Sequence, residues 1–325
     1  MKLAFYDTKP YDKEWFDKLS QKYGCEIKYY EYKLSADTAW LAKGYDAVCI
    51  FVNDDCGRET LGILEKVGVK LVALRCSGYN NVDLSALGGI KAVRVPAYSP
   101  NAVAEYAAAL LLSVNRRIPR AYNRTREGNF SINGLMGVDL YKKTVGVIGT
   151  GKIGQVFISI CRGFGMRVIA YDPYPADDPS IEYSDLETLF KSSDVISLHC
   201  PLTKETHHII NAGSVSLMKD GCILINTSRG ALVDTHALID GLKSHKLGGA
   251  GLDVYEEEGD YFFEDFSGEV IEDDELARLL SLPNVIVSSH QAFFTREAMR
   301  AIAETTFESL IAAEKGEALK NQLVP

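Results

Sequence analysis

The sequence has little of several features that would define whole classes of protein. Its seven cysteines are odd in number and include no Cys-x-x-Cys pair, which argues against a disulfide framework or a zinc site and indicates reduced thiols, as in a cytosol. No run approaches the ~18 apolar residues of a membrane helix, and the first apolar stretch ends at Asp7, too early for a signal peptide. We therefore expect a cytoplasmic protein that binds no membrane and no metal.

Basic residues are also in the minority. The 325-residue chain has 35 Lys plus Arg against 44 Asp plus Glu, a net charge of −9. Residues 256–275 alone hold eleven acidic and no basic residues, so the remainder is nearly balanced, with 35 basic and 33 acidic residues. We interpret the acidic stretch as mostly a solvated loop and expect no basic cluster elsewhere. Nucleic acid is therefore excluded as a partner.

The chain itself is typical of a globular protein of about two domains. Short apolar runs such as 47–51 and 71–75 alternate with helical patterns, and a second series of the same kind starts at Thr144. This alternation predicts an α/β fold with parallel strands. Pro96 and Pro100 bracket a linker, and a helix should run from Asn101 to about 126, broken at Pro119. One apolar side of this helix could be either a dimer face or core.

The strongest local signal is a glycine-rich turn. A buried run, 144–149, leads into Gly149, Thr150, Gly151, Lys152, Ile153 and Gly154, and a helical pattern follows. In a dinucleotide-binding unit the three glycines permit the tight turn, the approach of a pyrophosphate and close helix packing. Asp172 ends the next strand, where a carboxylate accepts hydrogen bonds from a ribose and repels a 2′-phosphate. This pattern predicts an NAD site, with NAD favoured over NADP.

Three further side chains follow predicted strands of the second series: Arg229, Glu258 and His290. Ligands of open α/β sheets bind at these carboxyl ends. Arg229 is suited to a carboxylate, His290 to proton donation, and Glu258 to orienting the imidazole. Taken singly, each has an ordinary explanation: a surface residue at a helix start, a member of a solvated run, and a structural histidine. Together they suit the reduction of a 2-oxo acid.

At this point the chain resembles the D-isomer-specific 2-hydroxyacid dehydrogenase family. The resemblance rests on the ordered motifs GTGKIG (149–154), SLHCPLT (197–203), INTSRGALVD (225–234), GLDVYE (251–256) and SSHQAF (288–293). Residues 254–285 look like the fermentative NAD-dependent D-lactate dehydrogenase branch. One departure is Gln291, where the wider family commonly has Thr.

The resemblance implies a role for each matching position. Arg229, Glu258 and His290 would be catalytic, and Asp253 would hold the nicotinamide carboxamide. Cys200, Pro201 and Thr206 would line the adenosine pocket, and Thr227 and Ser228 would lie beside the nicotinamide. Ser77 and Gly78 would bind the substrate carboxylate through backbone N–H groups. Tyr98 could contact the substrate or simply pack at the hinge.

The family fold implies two doubly wound parallel-sheet domains with a cleft between them. Residues 1–99 plus 295–325 would form a flavodoxin-like substrate domain, and residues 100–294 a Rossmann domain that binds NAD. The resemblance implies the reduction of pyruvate to D-lactate. The alternatives are a bulkier substrate, such as 2-oxoisocaproate or an aryl pyruvate, and an NAD-sensing corepressor-like binding protein. The family also implies a homodimer or homotetramer.

Overall fold

The computed structural model describes residues 1–324, and at Asp260 it describes the backbone alone. Pro325, which the predicted first domain includes, lies outside the described residues. The chain divides into two compact units, one formed by Met1–Ser99 with Phe294–Pro325 and the other by Pro100–Phe293. The second junction therefore falls one residue before the predicted boundary at 294/295.

The first unit contains one six-stranded sheet in the order β13-β5-β4-β3-β1-β2. Its strands are β1 (Lys2–Phe5), β2 (Glu26–Tyr29), β3 (Ala47–Ile50), β4 (Leu71–Leu74), β5 (Lys91–Val93) and β13 (Gln322–Leu323). Strands β1 to β5 are parallel and follow the flavodoxin-like order 2-1-3-4-5. The sheet is not wholly parallel as predicted, because β13 pairs antiparallel with β5. This last strand comes from the C-terminal segment, which returns along the edge.

The α-helices of this unit are α1 (Pro10–Tyr23), α2 (Arg58–Val67) and α10 (Arg296–Glu314). Helix α10 begins after Thr295, whose hydroxyl accepts a hydrogen bond from the backbone N–H of Ala298. Its buried Phe307 packs in one core with Phe5 and Phe16 from the beginning of the chain. Residues from both ends of the sequence therefore build the same hydrophobic core.

The second unit contains a seven-stranded parallel sheet in the order β12-β11-β10-β9-β6-β7-β8. Its strands are β6 (Thr144–Ile148), β7 (Arg167–Tyr171), β8 (Glu182–Tyr183), β9 (Val195–Leu198), β10 (Cys222–Asn226), β11 (Leu247–Leu252) and β12 (Val285–Val287). Numbered within the unit, this is the Rossmann order 3-2-1-4-5-6 with one further strand. The predicted class, two α/β units built on parallel sheets, is confirmed.

The helices of this unit are α3 (Pro100–Asn115), α4 (Ile118–Arg126), α5 (Lys152–Gly163), α6 (Leu186–Ser192), α7 (Ala212–Leu217), α8 (Thr235–Lys243) and α9 (Asp274–Ser281). The predicted long helix breaks at Arg117, whose φ of 53° is left-handed, and Pro119 lies in the first turn of α4. Proline is tolerated there because the first N–H groups of a helix have no partner. The open alternative for α3 resolves as core: Ala107 and Leu111 are fully buried.

Within residues 1–324, no helix is both long enough and apolar enough to cross a membrane. The acidic stretch is more ordered than the predicted loop. It forms a short 3₁₀ turn at Glu258–Asp260 and the beginning of α9, which Asp273 caps by accepting hydrogen bonds from two backbone N–H groups. Carboxylates are favourable at a helix N-terminus, which accounts for part of this acidic composition.

Candidate active site

The glycine-rich turn connects β6 to α5, and two of its glycines are required by close contacts. A Cβ at Gly149 (φ +97°) would lie 2.6 Å from the backbone of Cys200, and one at Gly154 would lie 2.1 Å from the Gly149 carbonyl oxygen. Gly151 has open space around it and precedes Lys152 and Ile153 without a side-chain cap on the helix. The first N–H groups of α5 therefore remain available to a pyrophosphate.

Asp172 lies directly after β7 and contacts this turn. Its carboxylate accepts hydrogen bonds from the backbone N–H of Thr150 (2.7 Å) and from that of Tyr174 (2.8 Å). These bonds hold a half-buried negative charge next to the phosphate-binding turn. The position suits the hydroxyl groups of an adenosine ribose and disfavours an additional phosphate there.

The predicted adenosine loop follows β9 and is held by its own hydrogen bonds. Cys200 is buried, which raises the pKa of its thiol to about 11 and keeps it neutral. Its carbonyl oxygen accepts a hydrogen bond from the Ser228 hydroxyl (2.6 Å), and the Thr206 hydroxyl donates to the carbonyl of Pro201 (2.7 Å). Thr206 therefore shapes the loop, and Ser228 ties it to the segment after β10.

That segment carries Thr227 and Arg229. The buried Thr227 Oγ1 has no hydrogen-bond partner in the described structure, which marks a place where a bound group would complete the bonding. Arg229 is half-buried and its guanidinium donates to the carbonyl of Ser228. A Cβ at Gly230 would lie 2.0 Å from the Tyr255 carbonyl oxygen. This close approach brings the Arg229 segment against the loop that follows β11.

Glu258 and His290 form the central contact of the site. The His290 Nδ1 atom lies 2.6 Å from Glu258 Oε1, and the other carboxylate oxygen accepts a hydrogen bond from the Tyr255 backbone N–H (3.0 Å). Both side chains are largely buried, with 17% and 15% of their surface exposed. An imidazole bonded to a carboxylate at Nδ1 presents Nε2 as the nitrogen that can exchange a proton with a ligand.

Asp253 clamps the loop that carries His290. Its carboxylate is fully buried and accepts hydrogen bonds from the Ser288 hydroxyl (2.7 Å) and from the backbone N–H groups of Gln291 (2.9 Å) and Ala292 (2.7 Å). His290 itself adopts φ = 52°, a left-handed conformation that is unusual outside glycine. Burial raises the pKa of Asp253, and these donors oppose the shift. The predicted contact with a nicotinamide carboxamide remains a prediction.

Two side chains near this site, Tyr106 and His199, were not predicted from the sequence. Gln291 Nε2 donates to the Tyr106 hydroxyl of α3 (2.6 Å). His199 is half-buried beside the glycine turn, and desolvation lowers its pKa to about 3, so the ring is neutral. No local sequence pattern predicts either feature, because each depends on residues that only the folded sheet brings together.

The remaining predicted substrate residues lie in the first unit, after β4 and β5. The Ser77 carbonyl oxygen accepts a hydrogen bond from Arg94 (2.8 Å), and the Cys76 thiol donates to the Gly78 carbonyl (3.2 Å). Ser77, Gly78 and Tyr98 are all half-buried. Their predicted substrate contacts remain predictions.

One group of side chains could hold a metal ion. The ligand atoms of His207, His208 and Glu256 lie within 4.8 Å of one another. Glu256 already accepts hydrogen bonds from Thr235 and pairs with His208, so the group also has an internal structural role.

Comparison with known proteins places these features in a family. Residues 108–292 match the model of the D-isomer specific 2-hydroxyacid dehydrogenase NAD-binding domain. D-lactate dehydrogenase of Escherichia coli is 53% identical over 329 residues, covering all of both chains. A structure of the pyruvate reductase of Chlamydomonas reinhardtii matches with a TM-score of 0.93 and 42% identity, over 99% of this chain and 98% of that one. D-2-hydroxyisocaproate dehydrogenase matches all of both chains with a TM-score of 0.87 and 36% identity.

These matches cover the whole chain, and they include the unit in which the glycine turn, Asp172 and the Glu258–His290 pair lie. The second unit is therefore an NAD-binding domain, the cofactor is NAD, and the protein is an oxidoreductase that acts on a small molecule. The chain belongs to the D-isomer specific 2-hydroxyacid dehydrogenase family.

Proposed function

We propose that this protein reduces pyruvate to D-lactate with NADH. The observation that carries the proposal is the buried Glu258–His290 contact at the carboxyl ends of β11 and β12, in the unit that holds the NAD turn. The 53% identity over the whole chain to a D-lactate dehydrogenase supports pyruvate as the substrate. The D configuration of the product comes from the family.

The residues divide the chemistry as follows. Arg229 forms charge-assisted hydrogen bonds with the substrate carboxylate, and Ser77 and Gly78 offer backbone N–H groups to the same anion. Protonated His290 donates its Nε2 proton to the carbonyl oxygen, and Glu258 holds the ring and stabilises its positive charge. Bound NADH supplies the hydride that reduces the carbonyl carbon. Pyruvate, NADH and one proton thus give lactate and NAD⁺.

A substrate panel tests this proposal. Oxidation of NADH is followed with pyruvate, 2-oxoisocaproate and phenylpyruvate, and the product is resolved on a chiral column. We expect the highest kcat/KM with pyruvate and a D product. A preference for 2-oxoisocaproate or phenylpyruvate would select the bulkier-substrate alternative. An absence of turnover with every 2-oxo acid would favour the alternative of an NAD-sensing binding protein.

The His290→Gln substitution tests the proton donor. We expect kcat to fall by about 10²–10⁴-fold, because the glutamine amide is too weak an acid to transfer a proton, while NADH binding measured by fluorescence is retained. His236→Gln is the matched control, since His236 lies exposed on α8. Turnover within a few-fold of the parent enzyme would remove His290 from the acid role.

We also propose that the protein is a homo-oligomer. Supporting this, the segment from α4 to β6 presents apolar side chains that are more than half exposed, namely Ile118, Tyr122, Phe130, Ile132, Met136, Val138 and Tyr141. A contiguous sequence of this kind is typical of a surface covered by another chain, and a second copy is the partner the family implies. Sedimentation velocity should give a dimer or tetramer, and Ile132→Asp should shift it towards the protomer. A parent protein that sediments as a protomer would contradict the proposal.

A further inference from the structure

A cavity of the NAD-binding unit is lined by residues other than the catalytic ones. It is open to the surface and has a volume of about 480 Å³, within the range of small-molecule sites. Its lining includes the basic residues Arg117, Arg120, Lys243, His245 and Arg278, and among the described side chains no carboxylate lines it. This cluster of basic residues contradicts the prediction that the chain has none. The prediction considered residues close together in the sequence, whereas the fold brings distant ones together.

The cations come from separate elements that the fold holds together. Arg117 and Arg120 lie at and after the break between α3 and α4, Lys243 ends α8, and Arg278 lies in the last turn of α9. The backbone at Arg117 and at His245 is left-handed, with φ of 53° and 62°. Such conformations in residues other than glycine persist only where the surrounding structure holds them.

The electrostatics of the cavity are unfavourable without an anion. Arg117 is half-buried, and desolvation together with the neighbouring Arg120 lowers its pKa; it nevertheless stays charged, as arginine does. Its guanidinium donates to the Gly248 carbonyl at 3.3 Å, an uncharged acceptor. Lys243 lies 3.8 Å from Asp240, but both side chains are more than half exposed, so this pair neutralises little.

The cavity is separate from the catalytic residues. It lies at the beginning of β11 and β12, lined by Gly248 and Asn284, whereas Asp253 and His290 follow the carboxyl ends of the same two strands. Six residues of β11 span about 20 Å. A ligand here therefore does not occupy the place of pyruvate or of the nicotinamide.

We propose that this cavity binds a small anion carrying two or more phosphate or carboxylate groups. Three arginines and one lysine, from α4, α8 and α9, can contact different groups of such a ligand, and arginine forms bidentate bonds with either chemistry. A monovalent anion reaches too few of them. The attraction is largely electrostatic and weakens as ionic strength rises.

Isothermal titration with inorganic pyrophosphate tests the proposal, with NADH present at saturation so that the glycine turn is occupied. We expect one saturable site per chain and affinity at least about ten-fold weaker in the double variant Arg120→Gln/Arg278→Gln. Both side chains are exposed, so the variant should fold. Arg116→Gln is the control, since Arg116 is exposed next to the cavity but does not line it.

Three results would overturn the proposal. These are no saturable binding of pyrophosphate, equal affinity in the double variant and the control, and acetate binding as tightly as pyrophosphate at matched ionic strength. Arg120 lies between Ile118 and Tyr122 in the segment proposed to meet a second copy, so the loss of affinity supports the proposal only if the double variant sediments as the parent does. A changed oligomeric state in the double variant would instead indicate that the basic residues of the cavity bind an acidic surface of another copy.

Discussion

The loop that carries His290 combines an unusual backbone with a dense set of hydrogen bonds. The residue is left-handed (φ = 52°), and its N–H donates to the Asp253 carbonyl at 2.7 Å while the Asp253 carboxylate holds the residues on either side. A strained conformation of this kind is stable only when its surroundings determine it. The imidazole is therefore fixed before any ligand binds, which lowers the cost of ordering it in the reaction.

Tyr106 supports this loop from α3 and can be tested. Tyr106→Phe removes the acceptor for Gln291 Nε2, and an exposed hydrogen bond contributes about 0.5–1.5 kcal/mol, so we expect kcat for pyruvate to fall by roughly 2- to 10-fold with the fold retained. Steady-state kinetics and circular dichroism measure both. Tyr122→Phe, an exposed tyrosine of α4, is the control. Equal kcat in the two variants would show that Gln291 needs no partner to hold the loop.

A second residue-scale prediction concerns the buried Asp54 of the first unit. Burial raises its pKa to about 6, against the opposing effects of Arg75 and of backbone N–H groups from Phe51 and Leu34. Between about pH 4 and 6 the folded chain therefore keeps a proton that the unfolded chain has lost, so the free energy of unfolding falls as pH rises through this range. The raised pKa of Asp54 changes the free energy of unfolding by at most about 3 kcal/mol.

Urea unfolding at about pH 4.5 and 6.5, for the parent and for Asp54→Asn, measures this effect. Asparagine cannot titrate, so the variant should lose less stability over the interval than the parent does. Asp55→Asn, at a neighbouring exposed carboxylate, should behave like the parent. Identical pH slopes in the parent and Asp54→Asn would refute the prediction.

At the scale of elements, burial explains which strands the sequence predicts. The runs 47–51 and 71–75 lie within one residue of β3 and β4, because fully buried strands are continuous apolar segments. Strand β2, EIKY, is only half-buried and was missed. The two-residue strands β8 and β13 carry no periodicity to detect.

The candidate site was predictable to a different degree. Position in the sequence places Arg229, Glu258 and His290 after neighbouring strands, and the family motifs select them from the many other polar residues. The contacts that hold them, such as Gln291 with Tyr106, join residues far apart in the chain. A single sequence contains no periodic signal for such pairs.

Helix α5 offers a matched pair of glycines as a test of the NAD turn. Gly154→Ala places a Cβ 2.1 Å from the Gly149 carbonyl oxygen, whereas a Cβ at Gly163 meets nothing within 4 Å. We expect Gly154→Ala to weaken NADH binding by at least about ten-fold, because the turn must move. Gly163→Ala should retain binding and gain about 0.5–1 kcal/mol in stability. Fluorescence titration measures NADH binding, and thermal unfolding measures stability. Equal NADH binding by both variants would contradict the role of Gly154.

At the scale of the whole molecule, the first unit is completed by the C-terminal segment. Phe307 of α10 lies in the core with Phe5 and Phe16. We expect Phe307→Ala to destabilise this unit by about 3–5 kcal/mol while NADH binding to the other unit persists at low denaturant. Chemical unfolding with NADH fluorescence as a second probe measures both. Tyr32→Ala, at an exposed aromatic of the same unit, is the control, and an equal loss in both variants would argue against a core role for Phe307.

The same arrangement has a consequence for how the chain folds during synthesis. The ribosome releases the five parallel strands of the first unit early, but their partner helix α10 follows only after the whole of Pro100–Phe293. At about 5–20 residues per second, that interval lasts roughly 10–40 s. The NAD-binding unit can complete its own fold in this time, while the apolar face that α10 will cover stays open. Chaperones that shield nascent apolar surface would act on this first unit, which would be completed only after the cofactor-binding one.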